Sequence, residues 1–449
     1  MKHQQNSFQD PVYVVDGLRT PQLKAAADPG PFSASDMAVL AARQLLLKMP
    51  FSAHDIDEVI IGCVMPDASE ANIARQIALR IGCSEQTPAW TVQRNCASGL
   101  QAIDSGMNSI RTGRSELVMV GGTEVMSRAP LLWNDAMRNW LSKWFNISSK
   151  GSKRKGLKRI QQYSTQALRL RAQFFKPVFS LLKGLKDPIA GLSMGQTAEI
   201  LASRFNITRA EMDQYALLSH QRLSQAISDG LLEHEVTPVY DHNNHYFEQD
   251  TGVRKDSNLE KLAHLKPVFD RHYGAVTAGN SAQISDGSSI LILASDKAVH
   301  KYHLPVLGKL IDCHWEGVSP EEMGLGPAHA IPPLLFKYNL KLSDIDYWEI
   351  NEAFSAQVLA CKKALNDDEF CRQELGLEKK LGDIPIQRLN VNGGGISLGH
   401  PVGTSGSRIV LHLLKLLKQQ TSHSPEQSFR GIASLCIGGG QGGAILVEI

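Results

Sequence analysis

Apolar and polar positions along this chain alternate between helical and extended periods, and one pair of such runs occurs twice. Residues 45–65, LLLKMPFSAHDIDEVIIGCVM, align without a gap on residues 334–354, LLFKYNLKLSDIDYWEINEAF, sharing the leucines, the lysine and Asp-Ile-Asp. Each copy reads as helix, short turn and buried strand. A looser pairing sets SELVMVGGTE (115–124) beside RGIASLCIGGG (430–440), two apolar strands that end in glycines. Duplication of a β/α unit predicts two similar halves packed together, with the loops at their strand ends meeting at a shared interface. Helical periodicity over 195–205 and 209–230 predicts two further helices, the second capped by Thr208.

One stretch breaks the pattern. Residues 137–186 hold 13 Lys or Arg and no Asp or Glu, which leaves 34 basic against 45 acidic residues elsewhere, a net of −11 hidden under an overall +2. Trp140, Leu141, Trp144 and Phe145 precede a basic run at 150–159, and Phe174, Phe175, Val178, Phe179, Leu181 and Leu182 follow it. Spacings of three and four predict amphipathic helices on either side of a glycine-bearing turn. Such a hairpin either covers a site entrance and gathers anionic ligands, or docks on an anionic membrane surface or a partner subunit through its aromatic residues. No groove-reading motif accompanies the charge, so nucleic acid is not an expected partner.

A chain of 449 residues predicts two or three domains. Seven cysteines, an odd number without paired short spacings, give neither a disulfide framework nor a zinc ligand set, and suit a reducing compartment, the cytoplasm. MKHQQNSFQDP at the start lacks an apolar core, and no run of about 18 apolar residues occurs, so the expectation is a protein neither secreted nor membrane-spanning.

Chemistry enters with Cys96. In RNCASGLQAI a β-type run, 89–94, gives way to a helix start, where unpaired N–H groups and the positive end of the helix dipole favour thiolate over thiol. Alone, such a cysteine is as readily a packing residue. Three distant blocks add the rest of a reaction kit: Asn-Glu-Ala-Phe at 351–354, Gly-His-Pro at 399–401, and Cys436 opening CIGGGQGG. Glu352 and the remaining cysteines (Cys63, Cys83, Cys313, Cys361, Cys371) read as structural, and Asn351 could equally cap a helix over 353–360. Gly438, Gly440 and Gly443 match a dinucleotide fingerprint only formally, because the chain ends where the helix and acidic residue should follow; NGGGISLG at 392–399 lacks the P-loop lysine.

These four blocks, in this order, resemble the thiolase family, with a likeness running from VDGLRTP (15–21) to the last strand, 444–449, and weakest over 132–186. SMGQTAE (193–199), LKPVF (265–269) and TAGNSAQISDG (277–287) also stand where that family carries equivalents. The resemblance implies an α/β fold in five layers, α-β-α-β-α. The first half would be 1–129 and 256–297, an inserted, mainly helical loop domain 130–255, and the second half 298–449. It further implies that Cys96 carries the acyl group, that His400 takes its proton and later contacts the thioester oxygen, and that Cys436 is the acid/base at the α-carbon. Asn351 would hold a water acting with His400 in one oxyanion hole, and the N–H groups of Cys96 and Gly438 would form the other.

Coenzyme A recognition by resemblance falls on Met194, Arg254, Ala282, Ala353 and Phe354. Ala282 stands where many thiolases carry a serine, and Ser193 where many carry histidine; a lost hydroxyl contact costs about 1 kcal/mol. No permanently bound cofactor is implied, only coenzyme A and acyl-CoA as substrates. The expected reaction is cleavage of 3-ketoacyl-CoA by coenzyme A, or the reverse condensation, with the loop region closer to thiolase subunits of fatty-acid β-oxidation complexes. The partners implied are a second copy, as dimer or dimer of dimers, and a hydratase/dehydrogenase subunit. A short-chain biosynthetic acetyl-CoA acetyltransferase, a decarboxylating ketoacyl synthase and a silent acyl-CoA scaffold remain the alternatives.

Overall fold

The structure is a computed structural model describing residues 11–26, 28–149, 163–167, 172–421 and 427–449. It divides into two compact units, Met1–Arg128 with Asp187–Ile449, and Ala129–Lys186. In the first half of the larger unit, β1 (Val12–Arg19), α1 (Ala34–Leu46), β2 (Glu58–Gly62), α2 (Ile73–Ile81), β3 (Ala89–Val92), α3 (Ser98–Arg111) and β4 (Leu117–Val125) follow in order. Then come α4 (Met194–Arg204), α5 (Arg209–Ser228) and β5 (Ser285–Ser295), which returns to the first sheet. The second half carries β6 (Gly308–Gly317), α6 (Gly326–Lys337), β7 (Tyr347–Ile350), α7 (Ser355–Leu365), α8 (Val402–Thr421), β8 (Arg430–Ile437) and β9 (Gln441–Glu448).

The strands run β7-β8-β9-β6-β1-β5-β4-β2-β3, with β1 and β6 joining the two halves. Helices α3 and α8 share one apolar cluster, in which Leu100, Ile103 and Met107 meet Ile409, Val410 and Leu413 and the facing strand residues Val118, Val120, Leu435 and Ile445. Helices α1 and α2 cover the other face of the first half through Met37, Ala41, Ile73 and Ile77. On the second half α6 and α7 do the same through Leu334, Leu335, Ala356 and Ala360. The result is the five-layer α-β-α-β-α order. Each fully buried Leu or Ile contributes roughly 1.5–3 kcal/mol, so the central layer is a main source of cohesion between the halves.

The duplication read from the sequence is present atom by atom. In the first copy β2 pairs in parallel with β3 through Val59 and Ala89; in the second, the equivalent Trp348 bridges in parallel to Leu389. The N–H of Asp57 donates to Leu117 O, and that of Asp346 to Arg430 O, both at 2.9 Å. Each aspartate side chain in turn accepts from the start of the neighbouring strand, Asp57 from Glu116 and Leu117, Asp346 from Arg430. Thr208 caps α5, its hydroxyl accepting from Glu211 N, as its sequence position predicts.

In the smaller unit, Leu131–Trp133 pairs antiparallel with Pro177–Phe179, and a helix covers Asp135–Ser149. Trp140 stacks on Trp144 with centroids 5.2 Å apart, Trp144 meets Tyr163 edge-on, and the Trp140 indole N–H donates to Gln166 O. Two tryptophans expected to serve as outward anchors therefore pack within the unit, while Leu131, Leu132, Trp133, Phe145, Phe175, Phe179 and Leu182 are exposed. The basic run 150–159 lies outside the described residues. Among the described residues no helix is long and apolar enough to cross a membrane.

Candidate active site

Cys96 lies in the turn between β3 and α3, two residues before the helix begins. Asn95 adopts φ of +44°, a left-handed conformation that asparagine tolerates better than most residues. Ser98 locks the turn, its hydroxyl accepting from Arg94 N at 2.9 Å and donating to Asn95 O at 2.7 Å. The turn can press onto the end of β2 only because Gly62 has no side chain: a Cβ there would stand 2.3 Å from the Ser98 carbonyl carbon.

From the other half, the turn after β8 closes over this thiol. The Asn95 amide donates to Gly438 O at 2.7 Å, which brings the Gly438 N–H beside the Cys96 sulfur. Gly439 and Gly440 sit at φ of +98° and +83°, so the turn requires residues free to adopt that region. Burial pushes the Cys96 thiol up, the N–H of Gly438 and its own N–H act against this, and Glu124 adds to the rise. The raised value is contrary to the sequence expectation of a thiolate, because desolvation outweighs the N–H groups at the turn. Cys436, fully buried at the end of β8, is held well above its ordinary value, first by burial and then by the neighbouring Cys96.

A thiol in this state needs a base. His400 is buried and lowered to about 4 by desolvation and by Arg408, so it is neutral at physiological pH. Its Nδ1 lies 2.5 Å from the Ser405 hydroxyl, which itself donates to Pro401 O at 3.1 Å. Ser405 therefore accepts from Nδ1–H, and Nε2 keeps the lone pair that a base requires. Asn351 follows β7, is held by its own N–H on Ser434 O at 2.9 Å, and reaches to 3.5 Å from His400 Nδ1. It caps no helix: α7 starts after Phe354, without a side-chain cap.

Four of the five expected coenzyme A residues form one wall. A Cβ on Gly438 would touch the Met194 sulfur at 3.2 Å; the next residue, Gly195, accepts the Phe269 ring; and Phe269 meets Phe354 edge-on with centroids 6.0 Å apart. The Ala282 N–H donates to Ala353 O at 3.0 Å. Arg254 stands apart. Its backbone N–H donates to His220 Nδ1 at 3.1 Å, and its side chain makes no ion pair among the described residues.

Glu352 accepts from Tyr215, Ser219, Asn390 and Ile396 N, all protein partners, which agrees with a structural reading. Sequence reasoning passed over Glu124, a buried carboxylate at the end of β4. It also passed over the buried charges Arg19, Glu235, Asp250 and His412, in which Arg19 pairs with both acids at 2.7 Å. An acid inside the otherwise apolar LVMVGGTEV is the signal that was available.

Thiol, neutral imidazole, amide and second thiol, gathered at the meeting strand ends of two duplicated halves, define an acyl-transferring enzyme. Residues 12–297 match the thiolase N-terminal domain and residues 304–449 the thiolase C-terminal domain. The chain is 35% identical over 439 residues to the human mitochondrial trifunctional enzyme subunit beta, covering 97% of this chain and 88% of that protein. Against rat mitochondrial 3-ketoacyl-CoA thiolase the identity is 34% over 444 residues, covering 97% and 98%. The crystal structure of human mitochondrial 3-ketoacyl-CoA thiolase in complex with CoA is similar at a TM-score of 0.79 and 34% identity, covering 98% of both chains. The chain belongs to the thiolase family: it is an acyltransferase acting on coenzyme A thioesters, with 3-ketoacyl-CoA thiolase or acetyl-CoA acetyltransferase activity.

Proposed function

We propose that the protein works in the degradative direction on medium or long 3-ketoacyl-CoA, through an acyl-Cys96 intermediate. His400 Nε2 takes the Cys96 proton, and the thiolate attacks the 3-keto carbon, its oxyanion received by the N–H groups of Cys96 and Gly438. The bond between carbons 2 and 3 then breaks, its electron pair passing to the α-carbon of the departing acetyl-CoA, where Cys436 supplies a proton. The thioester oxygen of that fragment is received by His400 and a water held by Asn351. Coenzyme A, giving its thiol proton to the ionised Cys436, takes the acyl group from Cys96, whose departing thiolate recovers the proton held by His400, and the cycle closes. The observation that carries this reading is the closure of the Gly438 turn on the Cys96 turn, the Asn95 amide donating to Gly438 O at 2.7 Å, with Cys436 buried beside Cys96.

Met194, Ala282, Ala353 and Phe354 would line the pantetheine path, and the unpaired Arg254 would meet the nucleotide end. The loop domain would span 130–255 between halves 1–129 with 256–297 and 298–449. As quaternary structure the reading takes a dimer or dimer of dimers. A hydratase/dehydrogenase partner is supported by the likeness to a protein named a trifunctional enzyme subunit. The place of action would be the cytoplasm, with segment 137–186 meeting that partner or an anionic membrane surface through its basic and exposed apolar residues. The test is thiolysis of 3-ketoacyl-CoA from four to sixteen carbons, with the acyl adduct located by mass spectrometry. We expect specificity constants that rise beyond four carbons and an adduct on Cys96, absent in Cys96→Ala. A steep preference for acetoacetyl-CoA would overturn the chain-length reading, and an adduct on another cysteine the assignment of the nucleophile.

A further inference from the structure

Glu124 is the one acid in β4, and its carboxylate joins the two halves. Oε2 accepts from Val64 N at 2.8 Å and from Gly403 N at 3.0 Å, and Oε1 from Met65 N at 2.9 Å. Val64 and Met65 follow β2 in the first half, while Gly403 lies in the first turn of α8, three residues after His400. The fit is tight on all sides: a Cβ on Gly122 would stand 2.0 Å from Gly403 O, and one on Gly403 would stand 2.6 Å from the Glu124 carboxylate. The Cys63 thiol approaches Glu124 at 3.8 Å. Glu124 is fully buried.

We infer that Glu124 is a positioning residue for acyl transfer: its carboxylate fixes the His400 segment of one half against the Cys96 half. The effect follows from its place. Three N–H donors on one carboxylate hold the α8 start, and so the preceding His-Pro turn, at a set distance from the end of β2, where the Cys96 turn is also seated. When ionised, Glu124 also adds to the rise that burial imposes on the Cys96 thiol. Burial lifts the Glu124 carboxyl to about 7 against the three backbone N–H bonds and Cys63, so its charge changes near neutral pH. Of the titratable neighbours, Cys63, with Glu70 beyond it, interacts with Glu124, and Cys436 with Cys96.

This inference rests on Cys96 as nucleophile, and two substitutions separate its parts. Glu124→Gln removes the charge and turns an amide NH2 toward N–H donors; Glu124→Asp keeps the charge but falls one methylene short of them. The measurements are acetylation of Cys96 by acetyl-CoA, and the pH midpoint of its alkylation by iodoacetamide followed by mass spectrometry. In Glu124→Gln we expect acetylation at least about tenfold slower, the scale of a misplaced reacting group, with a KM within about threefold of wild type and an alkylation midpoint moved to lower pH. In Glu124→Asp the loss of rate should recur while the midpoint stays. The midpoint separates lost charge from lost reach, and full acetylation rates in either variant overturn the inference. Should Glu124→Gln fail to fold, the rate in Glu124→Asp decides it. Labelling of a cysteine other than Cys96 in the wild type would instead strike the proposed mechanism.

Discussion

Two equivalent strand ends, one in each half, have been put to opposite uses. Where β2 ends at Gly62 and Cys63, the repeat places Asn351 and Glu352 at the end of β7. Gly62 is bare, and the absent side chain lets the Ser98 backbone close on the strand, seating Cys96. Asn351 instead reaches toward His400, and its side-chain oxygen has no hydrogen-bond partner among the described residues. Two residues upstream the same contrast holds. Ile60 belongs to the central apolar cluster, whereas its counterpart Glu349 faces Arg408 at 3.2 Å. Duplication thus kept the backbone register while the first copy became an apolar seat for the nucleophile and the second a polar surround for the base. A symmetric fold carries an asymmetric reaction because side chains, not strands, diverged.

The largest expected effect comes from erasing that difference at the strand ends. Asn351→Ala should lower turnover by about 10²–10³-fold, the scale of one lost oxyanion donor. Its melting temperature should change little, since the lost side-chain oxygen has no partner among the described residues and the amide nitrogen only a long contact with His400. Gly62→Ala should do the reverse, destabilising by roughly 1–3 kcal/mol because the new methyl meets backbone that cannot move aside cheaply. Steady-state kinetics and thermal denaturation of both variants decide the matter. An inactive but stable Gly62→Ala, or an unstable Asn351→Ala with normal turnover, would break the contrast.

A smaller effect is expected one residue further on. Glu352→Ala leaves the Ile396 N–H without its partner, which costs about 1–3 kcal/mol in the interior, while the Tyr215 and Ser219 hydroxyls keep Asn390 and Ser397. Cys63→Ala removes one weak thiol contact and should cost far less. Urea unfolding midpoints measure the gap between the two, and equal midpoints would mean that the second copy's carboxylate is not the anchor its contacts describe.

The repeat, the buried strands and the four reactive blocks were all readable in the chain, because they depend on local period and on residue types rare outside active sites. What escaped were properties that only packing creates. The helix start at Cys96 suggested a lowered thiol, but burial between two halves decides the sign and no local pattern carries that information. Glu124 looked like the end of an apolar strand, since its three N–H partners come from residues 59, 60 and 279 positions away. Trp140 and Trp144 fitted an outward apolar face by spacing, yet they stack on each other and Trp144 meets Tyr163 edge-on.

The smallest expected effect concerns two buried histidines twelve residues apart, pushed in opposite directions. His400 is lowered to about 4 by burial and by Arg408. For His412 burial also lowers, but the Glu235 carboxylate at 2.8 Å, aided by Glu349, prevails and raises it above 6.5. Between pH 6.5 and 4 the unfolded chain holds a proton on His400 that the folded chain refuses, so stability falls as pH drops through that window. The His412 contribution has the other sign: it is complete below 6.5 and is lost as pH rises through the raised folded value. Urea midpoints from pH 8 to 5 should therefore decline less toward acid in His400→Asn than in the wild type. In His412→Asn the deficit against wild type should be larger at pH 5.5 than at pH 8. Identical acid slopes in His400→Asn and wild type would show that the imidazole is not held neutral, and with it would go the reason that His400 can serve as a base across the physiological range.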